Sequence, residues 1–303
     1  MAVDKLVDSA QLDGYFTNIA SAIRSKAGVS STYTPSEMPQ AIEDIPSGGG
    51  GDELDQLIEG TLSEITTNVT TIASYALYYK SNLLNVTGQN VASIGESAFF
   101  SCIKLNAINF PNLVTISRYA FASCRALETI QFSKLSVVAS SAFQGCSGLT
   151  NISLPLVSAI SDGAFSGCRS LSEVTIPSLT FTNYCAFGFC TSLEKFEAPL
   201  LKRVGRFCFS NCSALESVSF PNLTAISSSA FYQCYKLLSV YLMTSSVVSL
   251  EAYPPFKSTP IDGYTDYTGG VYGSVFVPAS LYSNYISHSR WATYSSRIVS
   301  VSE

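Results

Sequence analysis

The sequence is poor in charge. Only 13% of its 303 residues are Asp, Glu, Lys or Arg, about half the usual share. The net charge is −5 and unevenly spread: residues 1–53 hold eight acids and three bases, the remainder fourteen of each. No basic stripe results, so the attraction that nucleic-acid or anionic-membrane binding needs is missing. Lys202, Arg203 and Arg206 form the only small basic cluster, read as a solvated face. Uninterrupted apolar runs long enough to span a membrane are absent, so no membrane insertion is expected. The opening Met-Ala-Val-Asp-Lys-Leu-Val-Asp has no apolar h-region, so a Sec signal peptide is not expected either. There is one His, His288, and no HExxH, GxSxG, paired-carboxylate or metal-ligand spacing. An enzyme is therefore not expected, nor a catalytic residue, cofactor or metal, and His288 is read as a surface or packing residue.

What the chain does have is a repeat. Ala, or once Cys208, recurs at 76, 98, 120, 142, 164, 186, 208, 230 and 252, a period of 22 residues read as free of insertions. One unit runs Ala120-Phe121, Cys124, Leu127, Ile130, Phe132, Leu135, Val138. Its Leu-x-x-Ile-x-Phe half alternates like a short strand with Ile130 and Phe132 inward, and a following Pro (111, 155, 177, 199, 221) ends it because Pro cannot donate to a ladder. The second half turns the chain back, and Ala-Phe-x-x-Cys is expected to form a helical turn. One repeat cannot bury its apolar set alone, whereas stacked repeats bury it against one another. At roughly 1.5–3 kcal/mol per inward side chain, stacking is the main source of stability.

Nine cysteines would suggest disulfides or metal. Seven of them (102, 124, 146, 168, 190, 212, 234) follow the Ala by four residues in successive repeats, and none lies in a CxxC pair. A residue that recurs once per coil is a packing position, and buried Cys behaves as a small hydrophobe. Lys80 and Phe256 stand in the Cys slot of the terminal repeats, and Thr182 replaces the second-half Ile beside Phe181, read as local repacking.

Residues 1–45 are expected to be a small helical segment for attachment or self-association. Leu12, Phe16, Ile19, Ala20 and Ile23 form one stripe of a 3.6-residue period. Residues 46–53 are a Gly-rich linker, and 54–256 hold the repeats, with an N-terminal cap over about 54–75. Residues 257–303 should be a C-terminal cap: a strand from Ser274, a helix from Ala279 to about Ser287, and a last strand, Ile298 to Val301, covering an apolar coil face that would otherwise be wet.

The unit Ala-Phe-x-x-Cys-x-x-Leu-x-x-Ile-x-x-Pro-x-Leu-x-x-Ile resembles the BspA-like, Treponema pallidum-type leucine-rich repeat over about residues 62–256. The resemblance implies an α/β solenoid, a right-handed leucine-rich-repeat superhelix with a parallel concave sheet, used for adhesion and recognition rather than catalysis. With Met-Ala-Val-Asp-Lys-Leu-Val-Asp-Ser at the start, Ile-Ala-Ser-Ala-Ile-Arg-Ser-Lys, the Pro-Ser-Glu-Met-Pro-Gln-Ala-Ile phrase and the Gly linker, the first 60 residues resemble leaders of phage or prophage tail-associated proteins of gut Firmicutes. That implies a virion protein, extracellular after lysis, which attaches or self-associates through residues 1–45. A bacterial cell-surface adhesin and a ligand-free decoration protein are the alternatives.

The candidate binding residues are those the repeat leaves free. Thr129, Gln131, Asn151, Ser153, Glu173, Thr175, Lys195, Glu197, Ser217, Ser219 and Tyr241 should point outward from the strands. They form a ladder of short hydroxyl and amide groups with charge only in its middle, suited to hydrogen-bonding a host-surface glycan or an extended peptide of a host protein. A merely soluble sheet face is the other reading.

Overall fold

The computed structural model describes residues 63–302; the expected leader, the linker and the start of the N-terminal cap lie outside the described residues. Each coil of the solenoid has three walls. The first is a strand whose middle residue is buried between outward neighbours, as in Thr129–Gln131 and Lys195–Glu197. Such strands recur from Glu64–Thr66 to Ser239–Tyr241. Thr129, Asn151, Glu173 and Lys195 are in register, each 22 residues beyond the last. Constant spacing converts a sequence period into a parallel ladder, because every strand meets its neighbour at the same letter of the repeat.

The second wall is a nine-stranded parallel sheet of two-residue strands from Thr71–Ile72 to Ser249–Leu250. In each, the second residue faces the core, as Ile116 and Ile160 do.

The third wall departs from expectation. Ala-Phe-x-x-Cys is not a helical turn: the only α-helix among the described residues is Tyr282–Ser287 in the cap. The fold is thus a parallel β-solenoid rather than α/β. The reason lies in where the N–H groups go. Tyr119, Phe121 and Ser123 donate to the carbonyls of Ser140, Ala142 and Gln144 in the next coil, at 3.2, 2.8 and 2.7 Å. Bonds that a helix would close internally run along the solenoid axis instead. To aim them, two residues per coil take left-handed backbone, such as Tyr119 (φ 55°) with Ser123 (φ 62°) and Cys185 (φ 52°) with Phe189 (φ 61°). Only three of the corresponding positions hold glycine (Gly145, Gly163 and Gly167), so stacking must hold the others against an intrinsic cost of about 1–2 kcal/mol each.

The repeat's fixed letters fill the interior. Phe99, Phe121, Phe143, Phe165, Phe187, Phe209, Phe231 and Phe256 form one stack, with successive centroids 4.9–5.9 Å apart and ring planes within 16° of parallel. Beside it runs a ladder of buried thiols. Each donates to the carbonyl of the Phe-slot residue one coil back: Cys124 Sγ to Phe99 O at 3.1 Å, Cys146 Sγ to Phe121 O at 3.0 Å, Cys168 Sγ to Phe143 O at 3.2 Å. Cysteine therefore does what Ala or Val could not, filling space and supplying a weak donor to a buried carbonyl. Burial raises the pKa of all seven ladder thiols and of Cys208, to about 12 in Cys102, Cys146 and Cys208.

The repeat does carry an insertion. Ser249 pairs with Ala225, 24 residues away rather than 22, and Phe231 N donates to Pro255 O, where Ala would stand in earlier coils. Pro255 fills the Ala slot, Phe256 joins the Phe stack rather than the Cys slot, and Ala252 is exposed. Two extra residues between the strands and one after them shift the frame while the chain still closes the coil.

At the C-terminus, strands Ser274–Pro278 and Ile298–Val301 continue the first wall in parallel beyond Ser239–Tyr241. The last coil's open face is covered by Trp291, Tyr285 and Tyr294. Trp291 Nε1 donates to Val248 O at 2.8 Å, Tyr285 Oη accepts from Val248 N at 3.0 Å, and the Tyr294 ring meets Phe256 edge-on at 5.4 Å. The indole and one phenol satisfy both backbone groups of Val248, just before the strand Ser249–Leu250, which has no further coil to pair with.

Candidate functional site

The free positions of the first wall are brought together as one surface. Thr129, Gln131, Asn151, Ser153, Glu173, Lys195, Glu197, Ser217, Ser219 and Tyr241 are exposed and Thr175 is half-buried, around buried Ile130, Ile152, Val174, Phe196, Val218 and Val240. Pairing sets Glu173 beside Lys195 and Thr175 beside Glu197. Lys195 Nζ lies 2.7 Å from Glu173 Oε1 and 3.1 Å from Glu197 Oε1. Its pKa is raised, first by the hydrogen bond it donates to Glu173 and then by the one it donates to Glu197. The ammonium stays charged at any physiological pH, so the triad offers two partly neutralised carboxylates, not a proton donor. Surface pairs of this kind add little stability; their value is a fixed pattern of acceptors. At the cap end, Tyr241 is stacked on Phe276 at 4.6 Å, so the polar ladder finishes in an aromatic platform.

A second feature lies on the wall of two-residue strands. Outward positions there hold Thr71, Ser93, Thr115, Val137 and Ala159, then Phe181 and Arg203, then Ala225 and Ser249. Around that change opens a cleft of about 750 Å³ lined by Phe181, Thr182, Tyr184, Arg203, Arg206 and Glu251, among others. Thr182, which sequence reasoning set aside as repacking, lies beneath it. Elsewhere on this wall a backbone carbonyl accepts the N–H one coil on, as Val204 O does from Ser227 N at 3.0 Å. Here the Thr182 hydroxyl takes its place and accepts from Gly205 N at 3.0 Å. The paired register shrinks to Phe181 with Arg203. Gly205 is needed because a Cβ there would sit 2.4 Å from the Thr182 and Asn183 carbonyls.

The cleft is cationic and aromatic. Arg203 Nη2 reaches Glu251 Oε1 at 3.1 Å, while Glu251 Oε2 accepts from Ser228 N at 3.0 Å and Ser228 Oγ at 3.2 Å. The Ser228 backbone bond, then the Ser227 and Ser228 hydroxyls and Arg203, hold the Glu251 carboxyl below its usual range against partial burial. Ser227 Oγ, buried on the lining, has no hydrogen-bond partner of good geometry, although it lies near enough to Glu251 to act on its pKa. Lys202 and Arg206 make no ion pair among the described residues, and the Arg206 guanidinium sits 5.3 Å over the Phe207 ring. Phe181, in mid-sheet, and Tyr184, in the turn after its strand, are 43% and 53% exposed.

A family model of BspA type leucine rich repeat regions matches residues 70–194 and 136–259 in overlapping spans. The chain belongs to the BspA-type leucine-rich repeat family. No curated protein matches it. Among solved structures, a leucine-rich repeat protein from Bacteroides ovatus is 22% identical over 71% of this chain and 63% of its own, with a TM-score of 0.52, a likeness of fold alone. The chain thus spans less than two thirds of that relative's length. The Treponema pallidum leucine-rich repeat protein is 28% identical over 50% of this chain and 77% of its own, with a TM-score of 0.48. A leucine rich cell surface protein from Faecalibacterium prausnitzii is 24% identical over 60% of this chain and 63% of its own, also at 0.48. In this BspA-type chain no group of three or more His, Cys, Asp or Glu that could hold a metal ion occurs among the described residues.

The sheet-face residues were all legible, because a strand's outward positions follow from its period. The cleft was missed. Its signal was available in the outward slot of the second wall, where small residues give way to Phe181 and Arg203 in consecutive repeats.

Proposed function

We propose that this BspA-type protein is a non-enzymatic recognition module that binds a host-surface protein or glycan through the outward face of its first wall. One observation carries the reading. Successive strands hold short hydroxyl, amide and carboxylate groups in register about 4.8 Å apart, with Glu173, Lys195 and Glu197 fixed as a triad in the middle. A rigid row of donors and acceptors pre-organises hydrogen bonds to an extended ligand, so little side-chain entropy is lost on binding. Full-length protein would be applied to a glycan array and to host cells beside the combined Glu173→Ala, Lys195→Ala, Glu197→Ala variant. The wild type should bind and the variant should bind about tenfold more weakly or worse. Equal binding removes the triad from the site; no binding by either protein refutes the recognition reading.

The leader's likeness to tail-associated proteins supports a virion setting, with residues 1–45 as the attachment segment. Family membership equally fits a bacterial cell-surface adhesin. Mass spectrometry of purified phage particles and of cell envelopes separates the two: recovery with the particles supports the virion, recovery only with envelopes refutes it.

A further inference from the structure

The cleft on the second wall presents chemistry that the polar sheet face lacks. Three cations, Lys202, Arg203 and Arg206, come from one coil, and one of them is engaged by Glu251. The other two face solvent without an acidic partner among the described residues. Beside them stand the exposed rings of Phe181 and Tyr184, with Tyr184 packed edge-on against Phe207 at 5.9 Å. The remaining lining offers Thr180, Asn183 and Ser227, the last with a buried hydroxyl lacking a well-formed partner. Elsewhere the outward positions of this wall are small or polar apart from Val137, so the cluster is a local departure from the repeat and not a consequence of it.

We propose that this cleft is a second binding site, for an acidic saccharide carrying carboxylate groups. Ring faces of Phe181 and Tyr184 match the apolar C–H face of a sugar. Lys202 and Arg206 match its carboxylate. Thr180, Asn183 and Ser227 match its hydroxyls. An acidic peptide fits less well: strand addition is closed to it, because the cleft lies mid-sheet with both neighbouring strands already present, and an acidic side chain offers no apolar ring face to lie on Phe181 and Tyr184. Glu251 contributes by anchoring Arg203 across two coils and sets one end of the site.

The test uses full-length protein and calorimetry with three probes: a hexamer of galacturonic acid, a neutral maltohexaose and hexaglutamate. The galacturonate hexamer should bind, more weakly as salt rises, while the other two should not. Arg206→Ala and Tyr184→Ala should each weaken binding by about tenfold, with unchanged circular dichroism and melting temperature showing that the solenoid is intact. The sheet-face variant lacking Glu173, Lys195 and Glu197 should bind the galacturonate hexamer normally, so the two sites stand or fall separately. Hexaglutamate binding as tightly would overturn the saccharide assignment in favour of an acidic peptide. Equal binding of maltohexaose would overturn the role of the cations, and failure of the galacturonate hexamer to bind would overturn the proposal.

Discussion

Raising the pH should unfold this protein because of its thiol ladder. Eight cysteines are buried with raised pKa values: Cys102, Cys124, Cys146, Cys168, Cys190, Cys208, Cys212 and Cys234. In the unfolded chain each returns to an ordinary value near 9.0. The folded state then holds protons that the unfolded state releases, so stability is complete below the unfolded pKa and falls as pH rises through and above it. At pH 10 each unfolded thiol gains about 1.4 kcal/mol from ionisation, or about 11 kcal/mol for eight. That is comparable to the whole stability of an ordinary domain, about 5–15 kcal/mol. Urea unfolding followed by circular dichroism at about pH 7.5 and pH 10, in reducing buffer, reads the effect directly. The midpoint should drop steeply at the higher pH. Combining Cys124→Ala, Cys168→Ala and Cys212→Ala should lower stability at neutral pH yet remove about three eighths of the alkaline loss. A wild-type midpoint that hardly moves by pH 10, or a triple variant with undiminished pH dependence, would refute the reasoning.

Three further outcomes follow from the same structure. Ellman's reagent should find at most the half-buried Cys185 in the native protein and all nine thiols in guanidinium; rapid labelling of several native thiols would contradict a packed ladder. Phe143→Ala should cost about 3–5 kcal/mol in urea unfolding, since Phe143 is fully buried between Phe121 and Phe165; a loss under about 1 kcal/mol would show that the stack is not rigid. Ser141, with φ of 56°, should accept Gly with a change of about 1 kcal/mol or less, while Ser141→Val should destabilise by more than that because a β-branched residue resists left-handed backbone; melting temperatures of the two variants decide it.

Much of this architecture could be read from spacing alone. Ile130 and Phe132, the Cys series and the outward pair Glu173 and Lys195 occupy the roles their positions in the repeat implied, because a constant period leaves each letter one environment. Three features escaped for physical reasons. Ala120-Phe121-x-x-Cys124 has a spacing compatible with a helical turn, and only the neighbouring coil reveals that Phe121 N bonds outward to Ala142 O. The shift that places Pro255 in the Ala slot is masked because Ala252 happens to fall on the period. The cleft joins residues from consecutive coils, Phe181 with Arg203, and depends on a hydroxyl at Thr182 replacing a ladder carbonyl, which a hydrophobicity pattern does not register.

The central claim is that the repeat's fixed letters build the solenoid while its free letters recognise. A saturation scan of residues 63–302 within the full chain, scored in parallel for folded yield and for binding to whatever the wild type selects, tests it most directly. Substitutions at the inward positions, such as Phe143, Cys146, Leu149 and Ile152, should lower folded yield. Substitutions at Glu173, Lys195, Glu197 and their neighbours on the first wall should leave yield intact and lower binding. Binding losses that always accompany yield losses, with no fold-neutral positions on that wall, would contradict it.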